Sequence, residues 1–297
     1  MSDTGTATFF GHPRGLSTLF FTEFFERFSY YGMRALLVLF LTATVAQGGL
    51  GVDAATAGSI YGIYAGAVYV FALPGGWIAD RLIGTRRSIW IGGTLIAAGN
   101  CLLAVPASMF VFVCGLLVIA LGTGLLKPNI SALVGELYDG KPGAFRDAAF
   151  SIFYMGINLG GLLAPLVSGT VGEMFNFRYG FLTAGIAMLL GLVQFHRTGH
   201  HLGDAGRAPA SVSASERARG LRWVGLGVAI IVTLVAAAGF GLYTVSAPVV
   251  ADAFRHLMYA VAVLYFGYVL LLGGLDGAEK RRVGVMIVLF EIGRAHV

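Results

Sequence analysis

Glu23-Phe-Phe-Glu26-Arg27-Phe-Ser-Tyr30-Tyr31-Gly-Met-Arg34 sets two carboxylates and two guanidinium groups in a stretch otherwise rich in aromatic residues. On a helix, Glu23, Arg27, Tyr30 and Arg34 stand at i, i+4, i+7 and i+11, which is one face; the opposite positions are mostly Phe, Met and Leu. A charge at the centre of a lipid-spanning helix costs about 2.5–3.5 kcal/mol on insertion scales, so several in one span must face a cavity or partner charges. Two arrangements meet that demand. One is a structural ladder of salt bridges that locks neighbouring helices; the other is a polar cavity through which a charged solute passes.

Gly122-Thr-Gly124-Leu-Leu-Lys127-Pro128-Asn129 favours the cavity, because it puts a lysine beside a helix-breaking proline within another apolar run. A kink with Lys127 turned inward is the expected result. Asn158, in Phe153-Tyr154-Met-Gly-Ile-Asn158-Leu-Gly160-Gly161, reads either as a helix-packing residue or as a polar group of that cavity. Tyr61, Tyr64 and Tyr69 carry the same ambiguity between packing and lining. No glycine pattern follows a strand and no histidine cluster has metal-ligand spacing, so neither a soluble-enzyme motif nor a metal site is expected. His200 and His201 fall in a polar segment and read as solvated. Cys101 and Cys114 lie in apolar runs, which argues against a disulfide framework.

The elements that must carry these residues are membrane helices. The chain is 57% hydrophobic and only 12% charged, with a mean hydropathy of +0.80, against about 25% charged residues in a typical soluble domain. Spans of about 20 apolar residues are expected at 17–45, 55–79, 87–106, 108–137, 146–172 and 178–196, preceded by a short tail, 1–16. Gly58, Gly62 and Gly66 suggest a seam of close helix contact. A polar linker at 197–220 follows, then a helical hairpin at 221–275 with a short turn around Asp252 and a charged run from Asp276 to Arg282. A further span begins at Val283. It is expected to stop at Phe290, with Glu291 to Val297 resembling a read-through of non-native sequence.

Arg81, Arg86, Arg87, Lys141, Arg146 and the basic linker all fall on one side of the spans, which the positive-inside rule makes cytoplasmic. The net charge of +5 is therefore a matter of topology, and no nucleic-acid partner is expected.

With these residues in view, the chain resembles the proton-dependent oligopeptide transporter family, a branch of the major facilitator superfamily. Glu23-x-x-Glu26-Arg27 with Tyr30-Tyr31-Gly32 resembles the family's first-helix signature. Gly76-Trp-Ile-Ala-Asp80-Arg81-Leu-Ile-Gly84-Thr-Arg86-Arg87 resembles the superfamily loop between the second and third helices. Gly122 to Tyr138 and Phe150 to Gly161 resemble the fourth- and fifth-helix signatures. The likeness runs from about Leu16 to Phe290, and the extra hairpin is typical of prokaryotic members.

The resemblance implies an all-α membrane protein: the N-terminal six-helix bundle of a major facilitator fold, an inserted two-helix hairpin, and a stop at the start of the next helix. It implies proton-coupled symport of di- and tripeptides across the bacterial inner (cytoplasmic) membrane, with a cytoplasmic N-terminus, no enzymatic activity and no cofactor beyond protons as the coupling ion. The partners it implies are membrane lipid, a small peptide, and a missing C-terminal half that supplies the acidic group for the peptide amino terminus. Without that half the chain is expected to be inactive. The rival readings are another major facilitator carrier, for nitrate, sugar or drugs, and a non-transporting membrane scaffold.

Carried over by that resemblance, Arg27, Arg34 and Lys127 form a positive pocket for the peptide carboxylate, lined by Tyr30, Tyr31, Tyr69 and Asn158. Glu23 and Glu26 are the proton-sensitive partners of Arg27 and Lys127. Gly76, Asp80, Arg81, Arg86 and Arg87 form the gating loop. Guanidinium forks bind carboxylates in pairs of hydrogen bonds, a lysine offers a movable point charge, and a carboxylate beside them changes its pairing when protonated.

Overall fold

The structure, a computed structural model, describes residues 8–105, 108–207, 212–242 and 246–294. Its helices follow in the order α1 (Gly15–Thr42), α2 (Ala54–Ile78), α3 (Thr85–Ala104), α4 (Met109–Leu137), α5 (Gly143–Ala164), α6 (Thr170–Met174), α7 (Phe177–Thr198), α8 (Ala214–Gly239), α9 (Ala247–Leu272) and α10 (Gly277–Arg294). There is no β-strand among the described residues. Widened π-type turns at Ala79–Ile83 and Pro165–Gly169 extend α2 and join α5 to α6, so the latter pair forms one rod, Gly143–Met174. Among the described residues six rods are long and apolar enough to cross a membrane. The protein is accordingly an all-α, multi-pass membrane protein. Helix α1, 28 residues long, matches them in length and differs by carrying Glu23, Glu26, Arg27 and Arg34.

Met1–Val245 and Ser246–Val297 form two separate compact units. In the first, α1 packs against α5 and α7, α3 against α4 and α7, and α2 against α4. Leu16, Leu19, Ile89, Ile96, Leu126, Ile130, Phe153, Met188 and Leu192 meet in its core. Large apolar residues such as Leu162, Leu166, Leu189 and Leu190 stay exposed, as they must on a surface solvated by acyl chains. Only Gly220 is buried in α8, and among the described side chains of α9, in the second unit with α10, none is buried.

Glycine brings these helices within backbone range, at positions other than Gly58 and Gly62 of the expected seam. A β-carbon on Gly58 or Gly62 would meet nothing within 4 Å, whereas one on Gly92 would lie 2.6 Å from the Gly122 carbonyl oxygen and one on Gly75 only 2.1 Å from that of Gly124. Four-residue spacing tells which residues share a face and is silent on whether that face has a neighbour. The tight crossings are α3 on α4 and α2 on α4, where small residues substitute for the missing hydrophobic drive.

Helix ends also depart from the apolar runs, for local reasons. The segment 197–220 contains the last turn of α7, a 3₁₀ turn at Gly199–Leu202 and the first turns of α8, which a capping box between Ser213 and Glu216 starts early. Asp252 lies inside α9, not in a turn; Pro248 in the first helical turn, where no amide donor is needed, sets its start. Helix α10 starts at Gly277 because Asp276 and Glu279 bond reciprocally to each other's amides, at 2.7 and 3.0 Å. The expectations for 1–7, 106–107, 208–211, 243–245 and 295–297 lie outside the described residues. Within the expected tail, Phe9 and His12 exchange backbone hydrogen bonds, and the His12 ring is buried, 2.8 Å from the Tyr138 hydroxyl and stacked on Phe145.

Candidate functional site

Three of the four charged residues of α1 are turned into the first unit, while Arg34 is exposed. Glu23 is 3% exposed, Glu26 1% and Arg27 5%. Arg27 Nε lies 3.0 Å from Glu23 Oε1 and also pairs with Glu26 Oε2. One guanidinium thus serves two carboxylates. Lys127 of α4 stands over Tyr69 and, among the described residues, forms no ion pair with either of them. Helix α5 makes room for this cluster: a β-carbon at Gly160 would sit 2.5 Å from the Phe24 carbonyl oxygen and 3.0 Å from Arg27 Cβ. That crossing fixes the α1 backbone where the charges sit.

Each of the three expected cations lies over a tyrosine. The Arg27 guanidinium carbon is 5.2 Å from the Tyr30 ring centre, that of Arg34 is 5.3 Å from Tyr61, and Lys127 Nζ is 4.9 Å from Tyr69. A ring face attracts a cation without neutralising it. Tyr69 is 63% exposed. Tyr31 meets Tyr30 edge-on and lies against Gly161 of α5. Asn158 is exposed and donates to the Tyr154 carbonyl of its own helix at 3.0 Å, so its contact is local and it is not drawn into the charged cluster. Asn129, next to Pro128, donates across to the Gly75 carbonyl oxygen at 3.2 Å and ties α4 to α2.

Of the expected gating residues, Asp80 and Arg81 are exposed on the widened turn that ends α2, Arg87 is exposed on α3, and Gly76 has open space where a side chain would go. Arg86 differs from the rest. Its side chain donates to the carbonyls of Gly203 and Ala205, each at 2.6 Å, and its own amide donates to Gly206. Glu136, at the end of α4, closes the same knot by accepting from the Gly206 amide at 2.7 Å and from Thr85 Oγ1 at 3.3 Å. Arg86 therefore fastens the turn after α7 to α3 and α4. The nearby Tyr138 phenol is pushed up to about 12 by burial.

Sequence reasoning left several of these roles unassigned: the His12–Tyr138 contact, the Glu136 knot, and the placing of Tyr61 and Tyr64. His12 and Tyr138 stand 126 positions apart, and no local pattern links them. Tyr61 and Tyr64 did have a signal, since their spacing from Tyr69 put all three on one span. Among the described residues no three His, Cys, Asp or Glu side chains come together as a metal site.

A family model described as the POT family matches residues 86–250. An uncharacterized transporter of Bacillus subtilis (strain 168), YclF, is 45% identical over 284 residues, covering 95% of this chain and 56% of the relative. A di-/tripeptide transporter of Lactococcus lactis subsp. lactis (strain IL1403) is 42% identical over 291 residues, covering 95% and 58%. The crystal structure of the peptide transporter POT in complex with sulfate superposes with a TM-score of 0.84 at 44% identity, covering 96% of this chain and 58% of that one. The chain thus spans little more than half the length of the proteins it matches.

Proposed function

Because the chain belongs to the POT family, we propose that it forms the N-terminal part of a proton-coupled symporter of di- and tripeptides. The observation that carries this reading is the buried cluster of Glu23, Glu26 and Arg27, with Lys127 beside it over an exposed tyrosine. A ladder built only to lock helices has no use for a cation left facing an open ring.

Arg27, Arg34 and Lys127 hold the peptide carboxylate, with Tyr30, Tyr31, Tyr69 and Asn158 around it. Glu23 and Glu26 keep Arg27 and Lys127 paired until a proton discharges one carboxylate. The weakened pairing releases the cations to the peptide, and two halves of the transporter rock around a midplane site. A second half, supplied from beyond this chain, receives the peptide amino terminus on an acidic group. Protons are the coupling ion; no cofactor, metal, nucleic acid or covalent chemistry takes part, so the protein is not an enzyme.

The organisation that fits this role is a tail at 1–16, a transport bundle at 17–196, a connecting segment at 197–220, an inserted hairpin at 221–275 and the beginning of the second half at 276–290. The basic ends of the spans face the cytoplasm of a bacterial inner membrane, as does the N-terminus. There Gly76, Asp80, Arg81, Arg86 and Arg87 form the gating loop.

The substrate is tested by completing the transporter, joining this chain to the remaining part of the Lactococcus lactis relative, and measuring uptake of a labelled dipeptide under an inward proton gradient. Unlabelled di- and tripeptides compete in the expected outcome. Competition by nitrate or sugar but not by peptides would refute the assignment.

A further inference from the structure

Helices α3 and α7 run antiparallel and close together: a β-carbon on Gly93 would lie 2.6 Å from Leu192 Cδ2, and one on Gly185 would lie 3.3 Å from Asn100 Cβ. Their outward faces adjoin at Trp90, whose ring meets that of His196 edge-on at 5.9 Å between centres. Along α7 this face runs through Ile186, Leu189, Val193 and His196, spaced by three, four and three residues and all exposed. Along α3 it runs through Ala98, Thr94, Trp90 and Arg87, exposed as well. The face is thus largely apolar and ends in cations, with Arg87 one turn beyond Trp90 and Arg197 directly after His196. Among the described residues neither arginine forms an ion pair. Neighbouring Arg86, by contrast, is taken up by the carbonyls of Gly203 and Ala205, and Arg207 by Asp204 at 3.2 Å.

We propose that this face binds one anionic phospholipid, its phosphate held by Arg87 and Arg197 beside the Trp90 indole and an acyl chain laid along the apolar stretch of the two helices. Charge selects that occupant. Any acyl chain solvates an apolar strip, but two guanidinium groups without a carboxylate answer a phosphodiester, and arginines at the headgroup level gain from anionic lipid. Trp90 fits the same depth, where its ring is apolar and its N–H is wet. A second copy of the chain fits worse, because a two-fold contact through this face sets each cationic end against another of like charge. The site does not depend on what the chain transports.

The purified chain is placed in lipid nanodiscs in which brominated phosphatidylglycerol or brominated phosphatidylcholine replaces part of the lipid, and quenching of tryptophan fluorescence is followed. Subtracting the Trp90→Phe variant separates Trp90 from Trp77 and Trp223. The anionic lipid is expected to quench Trp90 at a mole fraction about five- to thirty-fold lower than the zwitterionic one, the attraction of one to two arginines for the headgroup. Arg87→Gln together with Arg197→Gln is expected to remove the preference, and Lys141→Gln, which drops a cation elsewhere, to leave it. Native mass spectrometry of the unsubstituted chain needs no variant: one phosphatidylglycerol is expected to stay bound where phosphatidylcholine does not. Equal retention or equal quenching by the two lipids overturns the proposal. So does a preference that survives the double substitution, or one that Lys141→Gln removes as fully, the mark of general surface charge. Quenching by neither lipid gives the face to a second copy, and displacement of the anionic lipid by inorganic phosphate gives it to a free anion; either result overturns the proposal too.

Discussion

Lys127 Nζ stands 4.9 Å from the centre of the Tyr69 ring, joining α4 to an exposed tyrosine of α2. The contact holds the ammonium in place without neutralising it, so the charge stays available to an anionic group. In the completed transporter, Tyr69→Leu is expected to raise the KM for a dipeptide by about 2- to 30-fold, the span of one cation–π contact from exposed to desolvated. Tyr69→Phe is expected to stay within about twofold. Uptake kinetics at fixed pH check both.

The α1–α5 crossing predicts a stability difference between two glycines. Gly160→Ala drives a methyl group onto the Phe24 carbonyl and is expected to cost about 1–3 kcal/mol through overpacking. Gly62→Ala enters open space and is expected to stay within about 0.5 kcal/mol of the parent. Thermal unfolding in detergent, followed by loss of monodispersity, reads both.

Tyr138 predicts an alkaline transition. Its folded-state value, about 12, lies above the ordinary 10.0 because burial disfavours the phenolate. A group raised in this way contributes stability that is complete below the ordinary value and is lost as pH climbs toward the folded one. The melting temperature is therefore expected to fall between pH 10 and about 12 by an amount that Tyr138→Phe reduces. Near neutral pH, Tyr138→Phe leaves His12 Nδ1 without its partner, at a cost of about 1–3 kcal/mol.

Arg86 predicts local loosening. Its two 2.6 Å contacts to Gly203 and Ala205 require a planar fork, so Arg86→Lys is expected to speed amide exchange at Gly206 while the α1 core stays protected. Glu136→Gln keeps an acceptor for the Gly206 amide and is expected to have the smaller effect. Hydrogen exchange with mass spectrometry checks the order of the two.

The charged helix was legible because charge within apolar sequence is costly enough to be informative by itself. Spacing placed Glu23 and Arg27 on one face, and they meet at 3.0 Å. Lys127 was singled out by the same cost, and it stands over Tyr69 of α2. Two glycines of the expected seam were not legible: a β-carbon on Gly58 or Gly62 meets nothing, while Gly75, Gly92 and Gly122 mark the crossings, and only the path of the whole chain decides which face is covered. Asn158 was ambiguous in sequence because an amide on a membrane helix can satisfy itself on its own backbone four residues back, which is what it does. Arg86 read as one of a run of loop arginines. Its acceptors lie well over a hundred positions onward, beyond the reach of any local pattern.

The central claim is that protons reach Glu23 and Glu26 and release the cations paired with them. The most direct measurement compares proton-driven uptake with dipeptide counterflow in proteoliposomes of the completed transporter carrying Glu23→Gln or Glu26→Gln. The account predicts that proton-driven accumulation is lost while counterflow persists, because neutral side chains leave the cations permanently free for substrate. Proton-driven accumulation at the parent rate in both variants would contradict it.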